Sequence, residues 1–151
     1  MPIQLRKPER DELDTASKLC LRSKAYWGYD RAFLDACVEE LTLTETDLET
    51  GHVTIAVDDQ GLAGVAHVAM DAEGCFLEKL FVDPDRMGEG IGRALFDWSV
   101  EAARGLAADT LIIEADPGAV PFYLKLGGVE DGWASSGSIP GRKLPRLVYR
   151  L

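Results

Sequence analysis

Apolar positions recur at helical spacing in the first third of the chain. One face of residues 9–24 repeats apolar or small side chains every three or four residues, at Leu13, Ala16, Ser17 and Cys20. A second helix is predicted after Asp30, which can cap its first turn. Its apolar stripe consists of Phe33, Leu34, Cys37, Val38 and Leu41. A short strand over residues 3–6 is predicted before both helices, and Thr44 can cap one further turn before Gly51.

The rest of the chain alternates apolar runs with turn signals. Runs over residues 52–58 and 62–70 flank Asp59-Gln60-Gly61, which predicts a β-hairpin, and a third strand over residues 75–82 stops at Asp83-Pro84. The remaining predicted elements are a helix from Ile91, a strand over 110–114, a helix over 119–126, and strands over 129–133 and 147–151, with a loop over 135–144.

This order of elements predicts an α/β fold. The β-α-β segments require parallel pairing, which is expected near Val82 and Ile112, whereas the hairpins require antiparallel pairing. The economical solution is one domain over residues 1–151, with a mixed, twisted sheet of six or seven strands and helices on both faces.

Charge narrows the class of partner. The 151 residues carry a formal net charge of −10, and such a surface repels nucleic-acid phosphates and anionic lipid, so neither is expected as a partner. From Pro140 onward there are four basic and no acidic residues, which suits either an anionic ligand or the neutralisation of neighbouring acids. No apolar run approaches the ~20 residues of a spanning helix. The first residues lack the apolar stretch of a signal peptide, so a cytoplasmic protein is expected.

The three cysteines point to no special chemistry. Cys20, Cys37 and Cys75 are too widely spaced for a metal pair or a disulfide framework. Reduced thiols are expected, with Cys20 and Cys37 in the core, and no metal site is predicted.

A glycine-rich segment between the third strand and the next helix is the strongest chemical signal. This glycine loop, residues 86–93, has glycine at 88, 90 and 92, which leaves backbone N–H groups unobstructed at a helix N-terminus. Such a site binds anions, phosphate above all. The dinucleotide fingerprint would need glycine where Arg93 stands, and the ATP-type G-K-[ST] tripeptide is absent from the sequence.

The loop resembles motif A, [QR]-x-x-G-x-[GA], of the GNAT (GCN5-related) N-acetyltransferase family, which holds the pyrophosphate of acetyl-CoA. A second block, Asp116-Pro117-Gly118-Ala119-Val120-Pro121-Phe122-Tyr123-Leu124-Lys125-Leu126-Gly127, is similar to the family's N-P-x-A-x-x-F-Y-x-K-x-G segment. The resemblance implies cofactor contacts from Leu80, Phe81, Val82, Met87, Gly88, Glu89, Gly90, Ile91, Gly92, Arg93, Asp116, Phe122, Tyr123 and Lys125. Three of these depart from the pattern: Met87 replaces Gln or Arg, Glu89 brings a negative charge that must point to solvent or weaken binding, and Asp116 replaces Asn.

The resemblance also assigns catalytic roles. Tyr123 matches the tyrosine that protonates the sulfur of coenzyme A, and a strand bulge around Phe81 and Val82 is expected to expose an N–H group to the thioester carbonyl. Glu78 is the leading candidate base. His67, less readily His52, or a chain of water molecules are the alternatives.

Two segments are candidates for the acceptor side. The connection between the first two helices carries Lys24, Trp27 and Tyr29. These residues either recognise an amine or form a hydrophobic cover over the sheet. The loop near the end carries Ser138 and Arg142, where Arg142 can hold a carboxylate or phosphate and the alternative is a flexible hairpin tip.

The sequence therefore predicts transfer of acetyl to a small-molecule amine in a ternary complex. The alternative is a weakened acyl-CoA-binding sensor or interaction module. A homodimer is compatible with the resemblance.

Overall fold

The computed structural model describes residues 2–151 and confirms the predicted α/β architecture. Within this range the α-helices are α1 Leu13–Ala25, α2 Arg31–Leu41, α3 Glu45–Thr50, α4 Ile91–Gly105 and α5 Val120–Lys125. The strands are β1 Gln4–Arg6, β2 His52–Asp58, β3 Gly61–Asp71, β4 Gly74–Val82, β5 Thr110–Glu114, β6 Val129–Ser135 and β7 Lys143–Arg150. Both predicted helix caps are confirmed, since Asp30 accepts from the N–H of Phe33 and Thr44 accepts from that of Asp47.

The described strands form one mixed sheet in the order β1-β2-β3-β4-β5-β7-β6. Only β4 and β5 pair in parallel. The parallel pairing expected near Val82 and Ile112 is right for Ile112 and wrong for Val82, because Ile112 pairs with Phe76 near the start of β4. Within the described residues this is the single pair between the two strands, so β4 and β5 diverge toward their carboxyl ends.

The last hairpin is longer than predicted. β7 begins at Lys143 instead of Leu147, because Lys143 and Leu144 pair with Ser135 and Ala134 of β6, which itself runs two residues further than predicted to Ser135. Pro145 argues against a strand here, because proline has no N–H to donate to a neighbouring strand. Its carbonyl nevertheless accepts a hydrogen bond from the N–H of Ala115 at 2.9 Å. The loop is thereby confined to residues 136–142.

Helices cover both faces of the sheet, as predicted. α1 and α2 bury Leu19, Cys20 and Cys37 against β2 and β3, while α4 buries Leu95 and Phe96 against the other face. Burial raises the pKa of the Cys20 thiol to about 12, which keeps it protonated at neutral pH. Every helix within residues 2–151 is too short or too polar to cross a bilayer.

His67 of β3 is buried as the neutral base. Its side chain is 5% exposed, and Nδ1 has no hydrogen-bond partner among the described residues. Burial, reinforced by the Lys79 ammonium and opposed by Asp47, lowers the pKa of His67 from 6.5 to about 4. The unfolded chain therefore binds a proton at higher pH than the folded chain does.

The free energy of unfolding is expected to fall as the pH drops from 6.5 toward 4. The contribution of His67 to this loss is at most about 3 kcal/mol, since each pKa unit corresponds to about 1.4 kcal/mol. Urea unfolding of His67→Gln at several pH values should show a shallower pH dependence than the parent protein. The matched control is His52→Gln, because His52 is exposed. Equal slopes for the parent and His67→Gln would contradict the assignment.

Candidate active site

A glycine-rich turn joins β4 to α4. Gly88 and Gly90 have φ angles of +83° and +82°, in the left-handed region that favours glycine. The first intrahelical hydrogen bond of α4 runs from the N–H of Ala94 to the carbonyl of Gly90, so the three N–H groups between them have no partner in the helix. Together with the positive end of the helix dipole, these donors fit a pyrophosphate.

The start of α5 lies against this loop. A Cβ atom added at Gly92 would stand 3.2 Å from the ring of Phe122 and 3.6 Å from the side chain of Val82. The structure thus brings together three residues that the sequence assigns to cofactor binding, from β4, the glycine loop and α5. Glycine at position 92 allows this close approach, which any larger side chain would oppose.

Arg86 anchors the loop and pairs with Glu89. Its Nε lies 3.0 and 3.2 Å from the two carboxylate oxygens of Glu89, and the guanidinium also donates to the buried carboxylate of Asp58. The charge of Glu89 is therefore compensated by an ion pair, and its side chain is 47% exposed, in agreement with the expected orientation toward solvent. Met87 beside it is 40% exposed. The anchoring role of Arg86 was not predicted from the sequence, where its signal is Glu89, an acid three residues further along the chain.

The other predicted cofactor contacts are spread over core and surface. Leu80 and Phe81 pack into cores on opposite faces of the sheet. Ile91 is buried. Arg93 and Lys125 are exposed, and Arg93 lies 4.0 Å from Asp97 in a surface ion pair.

β4 contains a bulge, but not where it was predicted. Its pairing with β3 shifts between Lys79 and Leu77, so Glu78 is the extra residue. Placing the bulge around Phe81 and Val82 was wrong, because both residues stay in regular pairing with β3. The bulge lies beside the position where β4 and β5 diverge.

Glu78 faces an acidic cavity on the side of the sheet covered by α2. This cavity has a volume of about 260 Å³. Its lining consists of the carboxylates of Glu40, Asp71, Glu73, Glu78 and Glu114, with the apolar side chains of Phe76, Leu77 and Leu144. The sequence marked only Glu78, since the other carboxylates come from separate elements. A larger cavity of about 520 Å³ beside Lys7 and Glu45 contains none of the predicted site residues.

The surroundings of Glu78 suit a base. Burial raises its pKa above the ordinary value, the Lys79 ammonium opposes this, and the carboxylates of Glu114, Asp71 and Glu40 add to it. A carboxylate with a raised pKa accepts a proton more readily near neutral pH. The two histidines named as alternatives, His67 and His52, do not line the acidic cavity.

Tyr123 is the buried residue of α5, and its ring packs into the core. It is 6% exposed, and its ring centroid lies 5.0 Å from that of Phe122 and 6.0 Å from that of Phe96. Burial raises the pKa of its hydroxyl, which stays protonated at neutral pH. Its ring contacts that of Phe122, which in turn packs against Gly92 of the glycine loop. A proton donor must be protonated at the working pH, and the Tyr123 hydroxyl meets this condition.

Asp116, which the resemblance assigns to the cofactor, contacts three residues expected on the acceptor side. Its Oδ2 accepts from the Tyr29 hydroxyl at 2.5 Å and from Lys24 Nζ at 3.1 Å. Arg142 donates to the Tyr29 hydroxyl at 2.7 Å and lies 3.7 Å from Asp116. We call these four residues the Asp116 cluster. It joins the α1–α2 connection, the end of β5 and the last loop.

Hydrogen bonds keep Asp116 ionised in this cluster. Burial acts to raise the pKa of Asp116, but the hydrogen bonds from Tyr29, from the N–H of Gly118 and from Lys24 outweigh it, and the pKa is lowered. Burial and the Asp116 carboxylate in turn raise the pKa of Tyr29 to about 12.

The remaining acceptor candidates also contact other elements. The indole of Trp27 covers Gly118, where an added Cβ would lie 2.6 Å from the ring. The Ser138 hydroxyl donates to Glu40 of α2. The α1–α2 connection and the last loop therefore border the same face of the sheet.

A model of the acetyltransferase (GNAT) domain family matches residues 13–134. No curated protein matches the chain in sequence.

Solved structures with the same fold cover nearly the whole chain. A GCN5-related N-acetyltransferase from Rhodopseudomonas palustris has a TM-score of 0.81 at 20% identity, covering 98% of this chain and 95% of its own. The PaiA N-acetyltransferase of Thermoplasma acidophilum, in complex with coenzyme A, has a TM-score of 0.78 at 16% identity and covers 100% of both chains. The protein yncA of Salmonella typhimurium, with its cofactor acetyl-CoA, has a TM-score of 0.72 at 12% identity, covering 99% and 94%.

Proposed function

Because this chain belongs to the GNAT acetyltransferase family, we propose that it transfers an acetyl group from acetyl-CoA directly to the amine of a small-molecule acceptor in a ternary complex. The observation that carries the proposal is the glycine loop, whose three free N–H groups stand at the open end of the divergence between β4 and β5. Acetyl-CoA is the cofactor of this family.

The residues present fit that cofactor. Gly88 and Gly90 have open space where a side chain would stand, and the adjacent donors can face a pyrophosphate. When bound, acetyl-CoA supplies the acetyl group as a reactive thioester. Val82 and Phe122 close one side of the loop against Gly92.

Two residues move protons in this proposal. Glu78 accepts a proton from the acceptor ammonium, directly or through water, so that the nitrogen lone pair can attack the thioester carbonyl carbon. Tyr123 would give its hydroxyl proton to the departing sulfur as the carbon–sulfur bond breaks. The nitrogen, now bonded to the acetyl carbon, would pass its own surplus proton to the Tyr123 oxygen through water, so that the products are a neutral amide and a free thiol and the proton taken up by Glu78 is released to solvent. The N–H groups at the Glu78 bulge are the candidates for polarising the thioester carbonyl.

The acidic cavity favours a cationic acceptor. Amines are protonated at neutral pH, and five carboxylates around about 260 Å³ attract such a cation. The grounds for a non-catalytic sensor are the three departures from the family pattern, at Met87, Glu89 and Asp116. The two charged departures are paired, Glu89 with Arg86 and Asp116 with the Lys24–Tyr29–Arg142 group. That pairing removes two unpaired negative charges that would oppose binding of the anionic cofactor.

The test is release of free thiol from acetyl-CoA across a panel of diamines, amino acids, aminoglycosides and short peptides. Amine-dependent thiol release with an acetylated product supports the proposal. Tight acetyl-CoA binding without transfer to any amine would favour the sensor.

Glu78→Gln is expected to lower kcat about 100-fold, the typical contribution of a general base. In the parent enzyme kcat/KM should fall as the pH drops through the raised pKa of Glu78, because the protonated carboxyl accepts no proton. The variant should lose this acid limb. Glu114→Gln, in the same cavity, is the control and should raise KM while keeping the limb. An acid limb that persists in Glu78→Gln would assign proton acceptance elsewhere.

A further inference from the structure

The Asp116 cluster carries more positive than negative charge. Lys24 and Arg142 each bring a cation, and within residues 2–151 Asp116 is the only carboxylate within 4 Å of either. The side chains are mostly buried, at 13% exposure for Lys24, 19% for Arg142 and 10% for Asp116. One positive charge is therefore left without a nearby partner in a chain whose net charge is −10.

Arg142 is also held in a fixed orientation. Its guanidinium lies 5.1 Å from the ring centroid of Tyr29 and 4.9 Å from that of Phe33, and these two rings stack at 3.9 Å. One hydrogen bond to Tyr29 uses one of the five N–H donors of an arginine. The planar group can still pair with a further carboxylate, the anion that its geometry fits best.

The Asp116 cluster and the acidic cavity lie side by side, along α2 and along the end of β5. Arg142 contacts Phe33 of α2 and Glu40 lines the cavity, seven residues apart on one helical face, or about 10 Å at 1.5 Å per residue. Glu114 lines the cavity and Asp116 belongs to the cluster, two residues apart, or about 7 Å of extended chain. The acceptor side is thus positive at one end and negative at the other.

We propose that the acceptor is an amino acid whose reacting amine lies at the far end of its chain from a carboxylate. The carboxylate pairs with Arg142 and Lys24, and the ammonium enters the acidic cavity beside Glu78. With C–C bonds of about 1.5 Å, about four or five methylene groups span the separation between the two ends. This inference rests on the proposed acetyltransferase function and specifies its substrate class.

The test compares amines that differ only in the acid group. Purified enzyme is assayed with 6-aminohexanoate and lysine against cadaverine and hexylamine, with acetyl-CoA saturating. We expect kcat/KM for the carboxylate-bearing amines to exceed that for cadaverine by at least about tenfold, as charge-assisted hydrogen bonds provide. Arg142→Gln should remove this preference by raising KM for 6-aminohexanoate, so that kcat/KM for 6-aminohexanoate falls to about that for hexylamine, which has no carboxylate to lose.

Lys143→Gln is the matched control, because it removes a neighbouring positive charge from an exposed site outside the cluster. A second readout needs no turnover: 6-aminohexanoate should raise the Tm of the parent protein and of Lys143→Gln, but not that of Arg142→Gln. The inference would be overturned if Arg142→Gln lowered kcat/KM equally for all amines, or if the parent enzyme preferred cadaverine. Either result would leave the acetyltransferase function standing. Failure of every amine in the wider panel would instead overturn the proposed function.

Discussion

Gly90→Val is expected to reduce acetyl-CoA affinity at least 100-fold. Gly90 caps α4 at a φ of +82°, a backbone conformation that valine opposes. Relaxation of that strain would turn the loop and move the N–H groups that follow it. Loss of even two charge-assisted hydrogen bonds to phosphate, at about 1.5–3 kcal/mol each, exceeds a 100-fold change. Calorimetric titration of acetyl-CoA measures the effect.

The control for this substitution is Gly132→Val. Gly132 lies in β6 with the same φ of +82°, and no atom lies within 4 Å of an added Cβ at either glycine. Both variants should lose similar stability, about 1–3 kcal/mol for a strained residue. Only Gly90→Val should lose binding. If folded Gly90→Val binds acetyl-CoA like Gly132→Val, the glycine loop does not hold the pyrophosphate.

Tyr123→Phe is expected to lower kcat about 100-fold or more while the dissociation constant of acetyl-CoA changes little. The substitution removes the hydroxyl and keeps the ring that packs against Phe96 and Phe122. General acid catalysis contributes about 10²–10⁴-fold. Because burial raises the pKa of Tyr123, the hydroxyl remains a donor across the neutral range.

Tyr149→Phe provides the comparison. Tyr149 packs against the same core, with its ring 5.2 Å from that of Phe96, and it has no assigned proton transfer. Steady-state kinetics should show nearly normal kcat for Tyr149→Phe. A normal kcat for Tyr123→Phe at every pH would remove its acid role.

Much of the fold could be predicted from the sequence because the periodic signals are local. The apolar stripes of α1, α2 and α4, the caps at Asp30 and Thr44, and the turn at Gly61 each depend on neighbouring residues. β7 was misplaced where the signal was not local. Its first residues pair with β6 across a loop, and Pro145 in that segment argues against a strand in the sequence. The bulge in β4 was predicted at the wrong residues for the same reason, since its position depends on the register between β3 and β4.

The site was predictable where its chemistry is carried by the backbone. Three glycines at alternate positions indicate an anion loop without knowledge of any distant residue. The Asp116 cluster could not be predicted, because Asp116 meets Lys24, Tyr29 and Arg142 from distant parts of the chain. The acidic cavity likewise draws its carboxylates from α2, β4, β5 and the β3–β4 hairpin. Only the folded chain places these charges together.

The most direct test of the account is a single assay for acetyl transfer with the purified protein. Acetyl-CoA is mixed with 6-aminohexanoate or with buffer alone, and both free thiol and the mass of the amine are followed. We expect thiol release that depends on the amine and matches the acetylated product mole for mole. Thiol release at the same rate without amine, or no release from bound acetyl-CoA with any amine of the wider panel, would contradict the assignment as an amine acetyltransferase.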